Sequence, residues 1–479
     1  MKVLIAASEV APIVKLGGLG DVIGSLPKAL EKAGVDADVI VPFYPNAKVE
    51  NLKVYKGVDL EVPFDGQNHV VNVYKTKLPN SNVDVIMLKN ANYFATGGSN
   101  AFANNVTETE MFAFFDVAVV EFIKAKFNTY DVVHCNDWHT GLITHLLKEE
   151  IGSTRPATVL TIHNLSYQGL GDLDLVEEIG IVPGTDPIVD LDIADGDINM
   201  MQQGILAADF ISTVSPTYAK EILFNDLGGP LSEYLQGRRG RLDGILNGID
   251  YSQFPRSYDL NNWKEAKASA KELLQKKFKL NVTDDPMYCY IGRLDPNQKG
   301  LDILYETIPD IINSNAQLVI LGTGDPVWEA KLRSLTDIAK YKGKLSINII
   351  FDVELAQEIY AASDFIIVPS RFEPCGLIQM IGMWYGALPV VHATGGLKDT
   401  VAERKTGFLF NVYSANALQQ AIENSLKAFK DKKLHSEMVK NAMVADFSWD
   451  ASAIQYKALY KEVIELRQRA LDLAEDLEE

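Results

Sequence analysis

Short apolar runs recur along the chain, each followed by a stretch whose apolar residues return at helical spacing; Val3–Ala7, for example, precedes Val22, Ile23, Leu26 and Leu30. In the first half, further runs at Val39–Val41, Val83–Leu88, Val132–His134, Thr158–Ile162 and Phe210–Val214 predict strands. They lack the polar alternation of a strand with one wet face, as expected of parallel strands buried on both sides. The second half repeats the rhythm, with strands expected at Met287–Ile291, Gln317–Leu321, Ile347–Phe351, Phe365–Pro369 and Leu388–Val391. Helices are expected between them at Leu301–Ile312, Leu355–Ala362 and Gly376–Tyr385. The pattern predicts an α/β protein of two doubly wound, Rossmann-like domains, residues 1–247 and 248–448, joined near Asn247-Gly248-Ile249-Asp250. Ligands of such domains lie outside the carboxyl ends of the strands, so a central cleft faced by both domains is the expected site. Residues 449–479 read as a helix with Ile454, Leu459, Val463, Leu466 and Leu471 roughly on one side. That helix either lies on the surface and frays or crosses back to brace the first domain.

Composition narrows the class. A chain of 479 residues exceeds one ordinary core, and 47% apolar with 23% charged residues is the balance of a soluble globular protein. No apolar run approaches the roughly 20 residues that span a bilayer. The run Val3–Ala7 is too short for a signal-peptide core, and Glu9 interrupts it. Cys135, Cys289 and Cys375 have no paired spacing, which argues against a disulfide framework or zinc site and for a reducing compartment. A net charge of −19 repels nucleic acid and anionic membranes, so neither is an expected partner. A phosphorylated ligand would need local cations, and this gives weight to Lys and Arg in glycine-rich loops.

Four constellations follow strand candidates. In Lys15-Leu16-Gly17-Gly18-Leu19-Gly20-Asp21, glycines let a backbone approach a ligand, a helix amino terminus favours an anion, and Lys15 adds a charge. A purely structural turn would share these glycines. His134-Cys135-Asn136-Asp137-Trp138-His139, with Thr161-Ile162-His163-Asn164 and Gln168 after the next strand, gathers groups suited to proton transfer or sugar hydroxyls. His134 and His139 miss the spacing of a helical zinc pair, and no third ligand is evident, so no metal is expected. Arg293 with Gln298-Lys299-Gly300 offers a fork of donors and a mobile charge, enough to neutralise a diphosphate, or merely two surface cations. In Glu373-Pro374-Cys375-Gly376-Leu377, Pro374 is expected to open a helix, leaving the amides of Cys375, Gly376 and Leu377 aimed at an anion beside a carboxylate. Cys375 reads as a small buried residue or as a thiolate in that setting.

Together these segments, with Ser212–Tyr218 and Asn247–Asp250, resemble the bacterial glycogen synthase and plant starch synthase family, retaining glycosyltransferases of the two-domain GT-B type. The matches keep the family's order from residue 8 to about residue 410. The resemblance implies ADP-glucose or UDP-glucose as donor and the non-reducing end of an α-1,4-glucan as acceptor, with no metal or other cofactor. It implies that Arg293 and Lys299 hold the diphosphate and that Lys15 and Gly18 close on it. Glu373 would face the donor glucose and His139 the anomeric carbon, the latter through its backbone carbonyl as much as its ring. Asp21, Asp137, His163, Asn164 and Gln168 would serve nucleotide, sugar or acceptor. The implied compartment is a bacterial cytoplasm, or a plastid once a transit peptide is removed.

Two departures stand out. The family commonly has Asp-Asn and then Arg-Phe in the segment Thr107-Glu108-Thr109-Glu110-Met111-Phe112, where the Asp, Asn and Arg are absent though a helix should still start, and Leu16 replaces a usual Thr or Val. The alternatives are another retaining GT-B glucosyltransferase and a non-catalytic glucan-binding or scaffold protein derived from a synthase. A glycoside hydrolase needs two opposed carboxylates, and Glu373 alone is convincingly placed.

Overall fold

The strand Lys2–Ala6 runs through the middle of a sheet, which is why Val3, Leu4, Ile5 and Ala6 are all fully buried. The computed structural model describes residues 1–95 and 106–478. The chain divides into two compact units, one of Met1–Val214, Ala219–Gly248 and Trp449–Glu479, the other of Ser215–Tyr218 and Ile249–Ser448.

The first unit holds a ten-stranded sheet. From one edge its strands run Leu242–Gly244, Phe210–Thr213, Ala157–Ile162, Val132–Asn136, Lys2–Ala6, Asp36–Pro42 and Asp84–Lys89, all parallel. Beyond them, Gln67–Lys77 pairs antiparallel with Asp84–Lys89, Leu60–Phe64 and Tyr55–Lys56. This antiparallel extension was not among the expected strands.

In the second unit six strands, all parallel, run Leu345–Asn348, Gln317–Leu321, Met287–Ile291, Phe365–Val368, Leu388–His392 and Phe408–Phe410. Numbered along the chain this is the order 3-2-1-4-5-6 of a doubly wound nucleotide-binding sheet. The strand expected at Ile347–Phe351 lies earlier, because Ile350 and Phe351 are exposed past its end and Asp352 caps the next helix.

The helix Trp449–Glu478 packs on the first unit. Its covered residues are Ala453, Tyr456, Leu459, Tyr460 and Val463, whereas Ile454, expected on the apolar side, is 65% exposed. Tyr456 and Tyr460 share the covered side with the expected Leu459 and Val463, and the Tyr460 hydroxyl bonds His134 Nδ1 at 2.8 Å inside the unit. Lys457 Nζ bonds the Ala33 carbonyl, and Arg467 bonds the carbonyls of Gly152, Ser153 and Arg155. Among the described residues no helix is long and apolar enough to cross a membrane.

Candidate functional site

A doubly wound sheet opens a crevice where neighbouring connections leave a strand in opposite directions. In the first unit that point is the carboxyl end of Lys2–Ala6, flanked by Asp36–Pro42 and Val132–Asn136. In the second it is the end of Met287–Ile291, between Gln317–Leu321 and Phe365–Val368. The Lys15 loop and Asp137-Trp138-His139 issue from the first point, and the Arg293–Gly300 and Ser370–Leu377 loops from the second.

The glycine-rich loop ends in Gly17, extended ahead of the helix Gly18–Lys32. Two of its amides are already used: those of Leu16 and Gly17 donate to Glu9, the latter at 2.9 Å to Oε2, and Glu9 is buried. The loop thus wraps an internal carboxylate at Leu16 and Gly17. A Cβ at Gly20 would lie 2.9 Å from Glu9 Oε2, so Gly20 is required by this packing. At Gly18 a Cβ would meet nothing within 4 Å, so a ligand can approach that backbone. Lys15 Nζ lies 2.7 Å from Asp21 Oδ1, and this partly exposed pair can exchange for a ligand anion.

Asp137 has φ 58°, an uncommon conformation for a residue with a side chain and often one that marks a functional turn. Its Oδ1 accepts the His163 amide at 2.7 Å and the Asn164 amide at 3.3 Å, tying two strand ends together. Burial pushes its carboxyl up to about 7 despite these bonds. His139 stacks on Trp138, ring centroids 4.0 Å apart, and meets the edge of Phe112 at 4.6 Å. Its Nδ1 is buried without a hydrogen bond, and burial first, then His163, lowers the ring to about 3, so it is neutral near pH 7. His163 Nε2 is 2.9 Å from Asn136 Oδ1, and burial brings that ring to about 4. Gln168 Oε1 accepts from Asn199 Nδ2 at 2.7 Å. His134 is wholly buried and held at both nitrogens by Tyr460 and Thr161, so it supports the fold rather than the chemistry. Thr107 caps the helix Glu108–Ala125 with a reciprocal Thr107–Glu110 capping box, and the atypical segment therefore keeps its local structure.

In the second unit Lys299 Nζ meets Glu373 Oε2 at 2.7 Å, and Ser370 Oγ donates to the same oxygen at 2.9 Å. Gly300 has φ 67°, and a Cβ there would lie 2.0 Å from the Pro369 carbonyl oxygen, so only glycine lets the two loops touch. Arg293 is exposed, its guanidinium 3.3 Å from Gln298 Oε1, while the Gln298 carbonyl accepts the Arg371 amide at 2.8 Å. The structure thus gathers Arg293, Lys299 and Glu373 on adjacent strand ends.

The helix expected to open at Pro374 starts at Ile378 instead. Gly376 has φ 74° and interrupts the turn, so Cys375, Gly376 and Leu377 form a loop rather than a first helical turn. Gln379 Nε2 fixes that loop through the carbonyls of Cys375 and Gly376, at 3.2 and 2.8 Å, and Cys375 is buried.

Four contributors escaped the sequence reading. Glu9 looked only like a break in an apolar run, and Asn136 and Ser370 lie within singled-out segments without a role of their own. The fourth, Gly395-Gly396, packs on the Glu373 loop: Cβ atoms there would fall 2.0 Å from the Glu373 carbonyl oxygen and 2.1 Å from that of Cys375. A paired glycine directly after Thr394, opening a helix, was the available signal.

Residues 2–237 match the family described as the starch synthase catalytic domain, and residues 272–444 match glycosyl transferases group 1. A glycogen synthase of Kosmotoga olearia is 40% identical over 97% of this chain and 98% of its own. One of Lactococcus lactis is 39% identical over 97% of this chain and all of its own. The solved catalytic domain of starch synthase IV from Arabidopsis thaliana, bound to ADP and acarbose, is similar with a TM-score of 0.85 and 28% identity, covering 97% and 99% of the two chains.

Proposed function

Since the chain belongs to the glycogen and starch synthase family of GT-B glycosyltransferases, we propose that it transfers glucose from ADP-glucose, or UDP-glucose, to the non-reducing end of an α-1,4-glucan with retention of configuration. The observation that carries this reading is the Lys299–Glu373 pair at the switch point of the second sheet, with Arg293 on the neighbouring loop.

Breaking a glucose–phosphate bond develops negative charge on the departing diphosphate and positive charge at the anomeric carbon. Lys299 and Arg293 supply the cations for the first, and the Glu373 carboxylate stabilises the second. A diphosphate drawn to Lys299 loosens its bond to Glu373 and frees that carboxylate to face the sugar. His139 is neutral, so it acts through its carbonyl and ring faces rather than by donating a proton. On this reading Lys15 and Gly18 add phosphate contacts, while Asp21, Asp137, His163, Asn164 and Gln168 fix nucleotide, sugar or acceptor. ADP is the preferred leaving group by family resemblance, and the relative solved with ADP supports that choice.

The test is incubation of purified protein with glycogen and labelled ADP-glucose or UDP-glucose. Expected are incorporation into polymer, faster from ADP-glucose, and product linkages that are α by NMR. No incorporation from either donor would favour the non-catalytic glucan-binding alternative.

A further inference from the structure

His145 and Glu149 stand four residues apart on the helix Gly141–Ile151 and so share one of its faces. Opposite them is Asp186, which precedes the short helix Pro187–Asp192 and uses Oδ1 to accept the amides of Ile188 and Val189 at 2.9 and 3.2 Å. Its other oxygen lies 2.6 Å from His145 Nε2, and one ligand atom from each of the three residues falls within 4.8 Å of the others. No step of the transfer reaction uses any of them.

The imidazole is the telling member. His145 is wholly buried, and its Nδ1 has no hydrogen-bond partner. If Nε2–H donates to Asp186, the lone pair sits on Nδ1 with nothing to accept from; in the other neutral tautomer it faces a carboxylate oxygen. An ion shared with Asp186 takes the second tautomer, with Nε2 as its ligand and the proton on Nδ1. Asp186 is held in place by two backbone amides, the outer support that metal-binding carboxylates commonly have. Glu149 is exposed and gives an ion a way in from solvent.

We propose that His145, Glu149 and Asp186 form a binding site for one divalent transition-metal ion, best matched by Zn2+. An imidazole with two carboxylates leaves a fourth position for water in a tetrahedral set and disfavours Ca2+ and Mg2+, which take oxygen ligands. Accommodating the ion requires the His145–Asp186 contact to widen to roughly 3.3 Å, the separation of two ligands about 2.0–2.1 Å from a tetrahedral metal. The ion clamps the helix Pro187–Asp192 against the helix Gly141–Ile151. At the far end of that short helix Asp192 accepts the Asn199 amide at 3.0 Å and Gln203 Nε2 at 2.6 Å, and Asn199 in turn holds Gln168. The metal is therefore a brace for the wall that carries Gln168, standing apart from the reacting groups.

The full chain, stripped with EDTA and desalted, is titrated with ZnCl2 by calorimetry and followed by thermal unfolding. Expected are one ion per chain, a Tm rise of about 5 °C at a hundredfold excess over Kd, and no comparable response to MgCl2. Glu149→Gln changes an exposed side chain and will fold; His145→Gln is the buried counterpart. Each is expected to weaken Zn2+ binding by at least about tenfold. Absence of Zn2+ uptake by the unaltered chain, or unchanged uptake by either variant, overturns the proposal.

Discussion

Lys299 Nζ and Glu373 Oε2 are 2.7 Å apart with side chains only 14% and 10% exposed, so each charge depends on the other for compensation in a site with little water. Such a pair contributes little net stability as a pair, because both charges lose hydration, yet removing one member strands the other. The arrangement suits a site awaiting an anion, since the diphosphate can replace Glu373 as the partner of Lys299.

Glu373→Gln keeps the shape and can still accept from Ser370, but it removes the charge. Turnover is expected to fall at least about 100-fold, the scale of losing a group that acts on transition-state charge. Stability is expected to drop by about 3 kcal/mol as Lys299 is left unpaired. Adding Lys299→Met should recover much of the lost stability and none of the activity. Initial rates and denaturant unfolding check both, and near-normal turnover of Glu373→Gln would refute its role.

Gly395→Ala tests whether the Glu373 loop is held by the paired glycines. Its added Cβ would sit 2.0 Å from the Glu373 carbonyl oxygen, at φ 44°, so the backbone must move. Turnover should fall by about tenfold or more, because small misplacement of a reacting group is costly. The far-ultraviolet circular dichroism should stay that of the parent. An unchanged rate would mean that the loop tolerates the shift.

The parallel core was legible because its strands are solid apolar runs: Met287–Ile291 and Gln317–Leu321 were placed to the residue. The antiparallel pair Leu60–Phe64 and Gln67–Lys77 was missed for the opposite reason. It has one wet face, with Val70 59% exposed and Val71 buried, and so carries an alternation instead of a solid apolar run. Its turn, Asp65-Gly66 with φ of 50° and 64°, was the recognisable signal. Arg293, Lys299 and Glu373 stand out in the sequence as candidates because charges beside strand ends and glycines are conspicuous, and the structure gathers them. Glu9 was not, because its partners are backbone amides, which leave no mark in a residue pattern. Nor could spacing show that Gly376 adopts φ 74° and delays the helix expected at Pro374.

Asp137 gives the molecule a pH dependence of definite sign. Burial raises its folded pKa to about 7 from an unfolded value near 4, so between those limits the folded state holds a proton that the unfolded state has lost. Its share of stability is complete below the unfolded pKa and is lost as pH rises through about 7. Asp137→Asn removes the titration and keeps an oxygen for the His163 amide. The Tm of the variant minus that of the parent should therefore increase by a few degrees between pH 5 and pH 8. A difference that is flat or falls with pH would show that Asp137 ionises normally.

Tyr460 and His134 stand 326 residues apart in sequence and meet at 2.8 Å, which makes the last helix part of the first unit's core. Replacing Tyr460 by Phe keeps the ring that packs there and deletes only the hydroxyl, leaving His134 Nδ1 buried and unpaired. That loss should cost about 1–3 kcal/mol, the penalty for an unsatisfied buried polar group. Because His134 Nε2 remains bonded to Thr161, the strand Val132–Asn136 should keep its register, and turnover at room temperature should stay within about twofold. Hydrogen exchange is the discriminating measurement: amides of that strand and of Trp449–Glu478 should lose protection together. Protection lost in the helix alone would mean that it docks on the sheet without stabilising it.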